Sequence, residues 1–266
     1  PGTERISPEL LPLVHLSQDD IDRIVRTVDG GAANVEDIYP LLPLQEGMLF
    51  HHQLHSVGDT YLGHALLASK TFEHCQALIS ALQKLVDHHD VLRTGIAWQG
   101  LPEPVQVVWR QATLAVETRC FDPTRGPIAE QLLASCHPRH TRLELSRPPL
   151  MRVILAEDRE RWLILILSHH LIADHASLDA LLRELASQLQ DKPEDLPPYI
   201  PYRNFVHAAR NELSEEEHRA FFRQMLSDVE SPTTPFGLAN VLGDGSSIAE
   251  ASQPIPSTLA ERLRHT

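Results

Sequence analysis

The stretch that most constrains this chain is an apolar run, Trp162-Leu163-Ile164-Leu165-Ile166-Leu167, that stops at Ser168-His169-His170-Leu171-Ile172-Ala173-Asp174-His175. A short apolar run bounded by polar residues reads as a buried strand. Downstream, Leu178, Leu181, Leu182, Leu185 and Leu189 recur at helical spacing, so Ala176 to Gln190 reads as an amphipathic helix. Two histidines and an aspartate therefore sit on the turn between a strand and a helix. A strand end can hold a side chain in a fixed position. Histidine takes and returns a proton near neutral pH, so the pair is a candidate catalytic feature. The bland alternative is a histidine pair satisfied inside a core. The adjacency of His169 and His170 is poor spacing for two ligands of one zinc ion, and no metal site is expected there.

The rest of the sequence bounds the class. With 266 residues, 42% of them hydrophobic, the chain can build one large domain or two smaller ones. A formal charge of -13 argues against nucleic acid or an anionic membrane as partner. No apolar stretch approaches a membrane span, and Pro1 to Arg5 has no apolar signal region. Cys75, Cys120 and Cys136 lack CxxC spacing and read as reduced thiols, which points to the cytoplasm.

In chain order, Ser17 with Asp20 has the form of a capping box opening a helix that Gly30-Gly31 closes. Pro43 suits the first turn of the next helix, with Leu44, Met48 and Leu49 expected to face the core. Tyr61 to Ala68 and Leu114 to Thr118 read as strands, Phe72 to Val86 and Ile128 to Cys136 as helices. Hairpins are expected over Val91 to Trp109 and over Leu150 to Leu167. Ser214 caps a further helix, with Phe221, Phe222, Met225 and Leu226 expected to bury one face.

Several of these stretches carry a resemblance. His169-His170-x-x-x-Asp174 resembles the His-His-x-x-x-Asp-Gly signature of the condensation domains of nonribosomal peptide synthetases, members of the chloramphenicol-acetyltransferase-like superfamily. Tyr39-Pro40-Leu41-Leu42-Pro43-Leu44-Gln45-Glu46-Gly47-Met48-Leu49-Phe50-His51 resembles the N-terminal motif of that family. His88-His89-Asp90-Val91-Leu92-Arg93-Thr94 resembles its Arg-His-x-x-Leu-Arg-Thr segment, with His88 in place of the first Arg. Tyr202-Arg203-Asn204-Phe205 resembles its Tyr-x-Asp-Phe motif. His51-His52-Gln53 followed by Gly58-Asp59 resembles the His-His-Ile/Leu…Gly-Asp pattern of the dual condensation/epimerisation branch, with Gln53 departing from it. The simpler reading of His51 and His52 is a helix C-terminal pair favoured by the dipole, followed by a Gly turn.

The resemblance implies an α/β sandwich lobe of the chloramphenicol-acetyltransferase type. Its sheet is expected to be mixed or antiparallel, with helices over one face and the histidine loop at a strand end. It implies a linker over 1–16, an N-terminal lobe over 17–230, and a crossover with the start of a second lobe over 231–266. It implies amide-bond formation between thioesters tethered to carrier proteins, with neighbouring synthetase domains as further partners. No cofactor is bound in this reading; the carriers bring phosphopantetheine. His170 would accept or orient the amine, His169 would brace the turn, and Asp174 would pair with Arg93. The family has Gly where this chain has His175, and Gly permits positive φ and leaves room. His175, with His51 and His52, is thus a possible modulator. The alternative is an inactive condensation-like domain that docks a tailoring enzyme such as a hydroxylase. A free CoA-dependent acyltransferase is disfavoured, because there the motif lies near the chain end.

Overall fold

The computed structural model describes residues 5–190, 200–211, 214–238, 251 and 253–264. It divides into two compact units, Pro1–Ser227 and Asp228–Thr266. The first unit holds two sheets. One is three-stranded and antiparallel, with β1 (Val35–Pro40) and β3 (Thr94–Ala97) flanking β4 (Val105–Trp109). The other is four-stranded and mixed, ordered β2 (Leu62–Ser69), β7 (Arg161–His169), β6 (Met151–Asp158), β5 (Ala115–Thr118). Only β5–β6 is parallel in it.

Strand β7 explains its own sequence. Leu163, Leu165 and Leu167 enter one cluster with Ile128 and Leu132 of helix α4 (Ile128–Ser135). Ile164 and Ile166 enter another with Leu78, Leu82 and Leu85 of α3 (Phe72–His88) and Leu185 of α5 (His175–Leu189). Side chains alternate across a strand, so an unbroken apolar run is what a strand covered on both faces requires. Each fully buried Leu or Ile contributes roughly 1.5–3 kcal/mol. The expectation of helices over one face is corrected here: α3 and α5 cover one side and α4 the other.

The three-stranded sheet packs Val105, Val107 and Trp109 against Ile21 and Ile24 of α1 (Gln18–Thr27). Ser17 and Asp20 form the expected capping box. Ile6, Leu11, Val14 and Leu16, within the stretch read as a linker, are buried in the same cluster. On the opposite side of this sheet, Tyr39 and Val108 pack on Val206 of α6 (Tyr202–Asn211), whose Arg203 meets Asp37 at 2.7 Å.

Two packing expectations fail. In α2 (Pro43–Leu54), Leu44 is 73% exposed and Gln45 is buried in its stead. In α7 (Glu215–Met225), Phe221, Phe222 and Met225, and Leu226 just after it, all stand exposed. The second unit contains a short 3-10 turn, Pro235–Gly237, and α8 (Ser257–Arg264). Among the described residues no helix is long and apolar enough to cross a membrane.

Candidate active site

The histidine loop begins where β7 ends. His169 is buried at 1% exposure and His170 is exposed. Four backbone hydrogen bonds fix the loop: His169 N–H to Leu150 C=O, His170 N–H to Tyr61 C=O, Ile172 N–H to His169 C=O, and Leu178 N–H to Asp174 C=O, all between 2.9 and 3.2 Å. The side chain of His169 is held as well. Its Nδ1 accepts from Leu171 N–H at 3.1 Å, which leaves the proton on Nε2. That Nε2 donates to Asp59 Oδ2 at 3.2 Å.

Asp59 is the residue that sequence reasoning passed over. It entered only as the end of the Gly-Asp pattern. In the structure it is the centre of a buried group, since His52 Nδ1 also meets Oδ2, at 2.6 Å, and Tyr61 N–H donates to Oδ1 at 3.0 Å. Burial by itself would raise the carboxyl pKa. The hydrogen bonds from His169, His52 and Tyr61 outweigh burial and hold it well below the ordinary carboxylate range. The two histidine motifs, far apart in sequence, thus converge on one carboxylate.

Helix α2 brackets this arrangement from both ends. At its start, Gln45 Oε1 accepts from Leu42 N–H at 2.9 Å, and Gln45 Nε2 donates to Leu171 C=O and to Gln106 Oε1, each at 3.1 Å. At its end lies His52. The turn that follows is clamped by Arg142, which donates to the carbonyls of His52 (2.7 Å), Gly58 (3.4 Å) and His55. Asp59 N–H donates to Pro138 C=O at 2.7 Å. Gly58 has φ +74°, and a Cβ there would collide with the backbone carbonyl of Arg139, so only glycine fits.

The remaining candidates are distributed around the buried centre. His51 is exposed, stacks on Tyr61 and meets its hydroxyl at 2.8 Å through Nδ1. His170 projects beside Gly63, within 4.0 Å of where a Cβ on Gly63 would lie. Asp174 is exposed and caps α5, accepting from Ser177 N–H at 2.8 Å. Its hydrogen bonds with Ser177 lower its pKa.

The expected Arg93–Asp174 pair is not formed. Arg93 is buried, donates to Glu36 Oε2 at 2.8 Å and also to Trp109 C=O. The physical reason is position: Asp174 is consumed by the helix start at the surface, and Arg93 faces β1 and β4. His175 is the first residue of α5. Among the described residues the non-glycines with positive φ are Arg159 and Phe236 alone, so His175 occupies ordinary helical backbone. The special backbone that Gly would provide is not needed there. As for ligands, His52, Asp59 and His169 place candidate metal-binding atoms within 4.8 Å of one another; all three residues are buried, and they are hydrogen-bonded to one another.

The family profile of the Condensation domain matches residues 35–241, a span containing every one of these groups. The chain belongs to the condensation-domain family. It is 44% identical to malpinin synthetase of Mortierella alpina over 265 residues, 99% of this chain and 3% of that protein. It is 42% identical to malpibaldin synthetase of the same organism over 263 residues, 98% of this chain and 5% of that protein. The chain therefore spans a few per cent of the length of these relatives. The starter condensation domain of the rhizomide synthetase RzmA shares the fold at TM-score 0.57 and 15% identity, over 75% of this chain and 51% of that one.

Proposed function

We propose that this condensation-family chain contributes the histidine side of a site that forms an amide bond between carrier-tethered substrates. The observation that carries the reading is the division of labour in the pair. His169 is buried and locked to Asp59, and His170 stands exposed on that base. In the reaction, the acceptor amine attacks the donor thioester carbonyl. A C–N bond forms, the C–S bond breaks, and the carrier thiolate leaves and is protonated. His170 accepts the proton lost by the amine or orients the amine by hydrogen bonding. Holding both ends on phosphopantetheine arms supplies much of the rate gain. The partners in this reading are two carrier proteins and adjoining synthetase domains.

His52, Asp59 and His169 act on the reaction by fixing the loop, and His51 flanks it. Asp174 anchors the helix that follows. In the same reading 17–230 form the N-terminal lobe and 231–266 lead into a second lobe. The uncovered apolar residues of α7, within the N-terminal lobe, support a further partner surface on that lobe. His175 introduces no backbone obstacle to activity.

The test is single-turnover condensation with both carriers loaded, in the complete two-lobed protein. His170→Ala should lower amide formation by roughly 100- to 10,000-fold as general base, with the fold unchanged. Wild-type product formation by His170→Ala would overturn the catalytic reading.

A further inference from the structure

We propose that His88, His89 and Glu184 form a binding site for a divalent transition-metal ion, zinc in particular, that staples the end of α3 to α5. The site lies apart from the histidine loop and is independent of the amide-forming reading.

Its parts come from two elements. His88 is the last residue of α3 and His89 its extended C-cap, with φ -97° and ψ 118°. That change of backbone lets two adjacent imidazoles turn toward one point, with ring planes 82° apart and centroids 4.8 Å apart. Glu184, on α5, is buried, and its Oε2 lies 2.7 Å from His89 Nε2. The three residues each offer one ligand atom, and these atoms all lie within 4.8 Å of one another. Two imidazoles and one carboxylate are an ordinary zinc donor set, with metal–ligand distances of about 2.0–2.2 Å. Tetrahedral coordination spaces its ligand atoms about 3.3–3.5 Å apart, so the His89–Glu184 hydrogen bond opens as the wider separations close, and His88 is exposed, so an ion can enter from solvent.

A separate feature points to the fourth ligand. Gln188, one turn beyond Glu184, donates from Nε2 to Glu184 Oε1 at 3.4 Å, and its Oε1 is shielded from solvent without a hydrogen-bond partner. A buried acceptor left unpaired is costly. A metal-bound water is a strong donor and would satisfy it, in the manner by which outer groups orient zinc ligands. His88 is also where this chain departs from the Arg of the motif it otherwise resembles, so the third ligand is a property of this chain's own sequence.

The experiment is calorimetric titration of the full 266-residue chain with zinc chloride, followed by thermal melts. One saturable equivalent is expected, with the melting temperature rising by about 5 °C at a hundredfold excess over Kd. His88→Arg and Glu184→Gln should each weaken binding at least about tenfold, since each removes one ligand. His88→Arg introduces the residue of the resembled motif and serves as the folded control. Absence of saturable binding in the submillimolar range overturns the proposal. Undiminished binding in both variants also overturns it, by placing the ion elsewhere, the buried His52–Asp59–His169 group included.

Discussion

Asp59 accepts a hydrogen bond from Nε2 of His169, a residue 110 positions further along the chain, and both side chains are sealed from solvent. The exposed His170 is therefore built on a carboxylate supplied by the turn after α2. Asp59→Ala should leave His52 and His169 without their shared acceptor and cost roughly 3–5 kcal/mol, the range for breaking a buried pair. Denaturant unfolding of the variant checks the figure.

The same contact has a pH signature. The folded-state pKa of Asp59 lies below its unfolded value. Its stabilisation is thus complete above the ordinary Asp pKa of about 3.9 and is lost as pH falls through the lower folded value. The stability gap between wild type and Asp59→Asn should be widest near neutrality and shrink in acid. A gap that is constant from neutral to acid pH would contradict this.

Arg142 should matter through the helix end it clamps. Arg142→Ala removes charged hydrogen bonds worth roughly 1.5–3 kcal/mol each at most, with the His52 and Gly58 carbonyls among their acceptors. Lysine at this position can reach one carbonyl but not fork across three, so Arg142→Lys should recover only part of the loss. Hydrogen exchange at Asp59 and Tyr61 reads the loosening directly.

Gln45→Leu tests the other end of the bracket. It keeps the volume but strips Leu171 C=O and Gln106 of a partner inside the core, and each orphaned group costs roughly 1–3 kcal/mol. Melting temperature should fall, and a condensation assay should fall with it if the loop loses its position. An unchanged melting temperature would show that Gln45 does not hold the loop.

For Arg93, a double-mutant cycle separates two partners. Coupling of roughly 0.5–3 kcal/mol is expected with Glu36, within reach at 2.8 Å, and none with Asp174. Measurable Arg93–Asp174 coupling would reinstate the pair that the structure denies.

Much of the fold was legible because it is local. Ser17 and Asp20 announced a helix start, and the run from Trp162 to Leu167 announced a strand. The exposed residues of α7 were misjudged because an apolar stripe tells which face seeks cover but not what covers it. Leu44 failed for a related reason: Gln45 takes the interior by bonding Gln106 and the Leu171 carbonyl there, and the half-buried Leu42 N–H, a network that periodicity cannot display. At the candidate site, His169, His170 and Asp174 were singled out from one contiguous segment. Asp59 was not singled out, because its role depends on two histidines brought together only by folding. The one available signal was its place behind Gly58, where positive φ marks an enforced turn. The Arg93 pairing was misassigned because it was carried over from resemblance, and the helix start had a stronger local claim on Asp174.

His175 opens α5 in plain helical backbone, directly after its capping aspartate. A search pattern that insists on glycine at that place therefore filters on side-chain size and not on foldability. Sequences set aside as defective on the strength of that one letter can still present an intact turn. Sorting them would be better done by whether a distant Gly-Asp and an upstream histidine are there to support it.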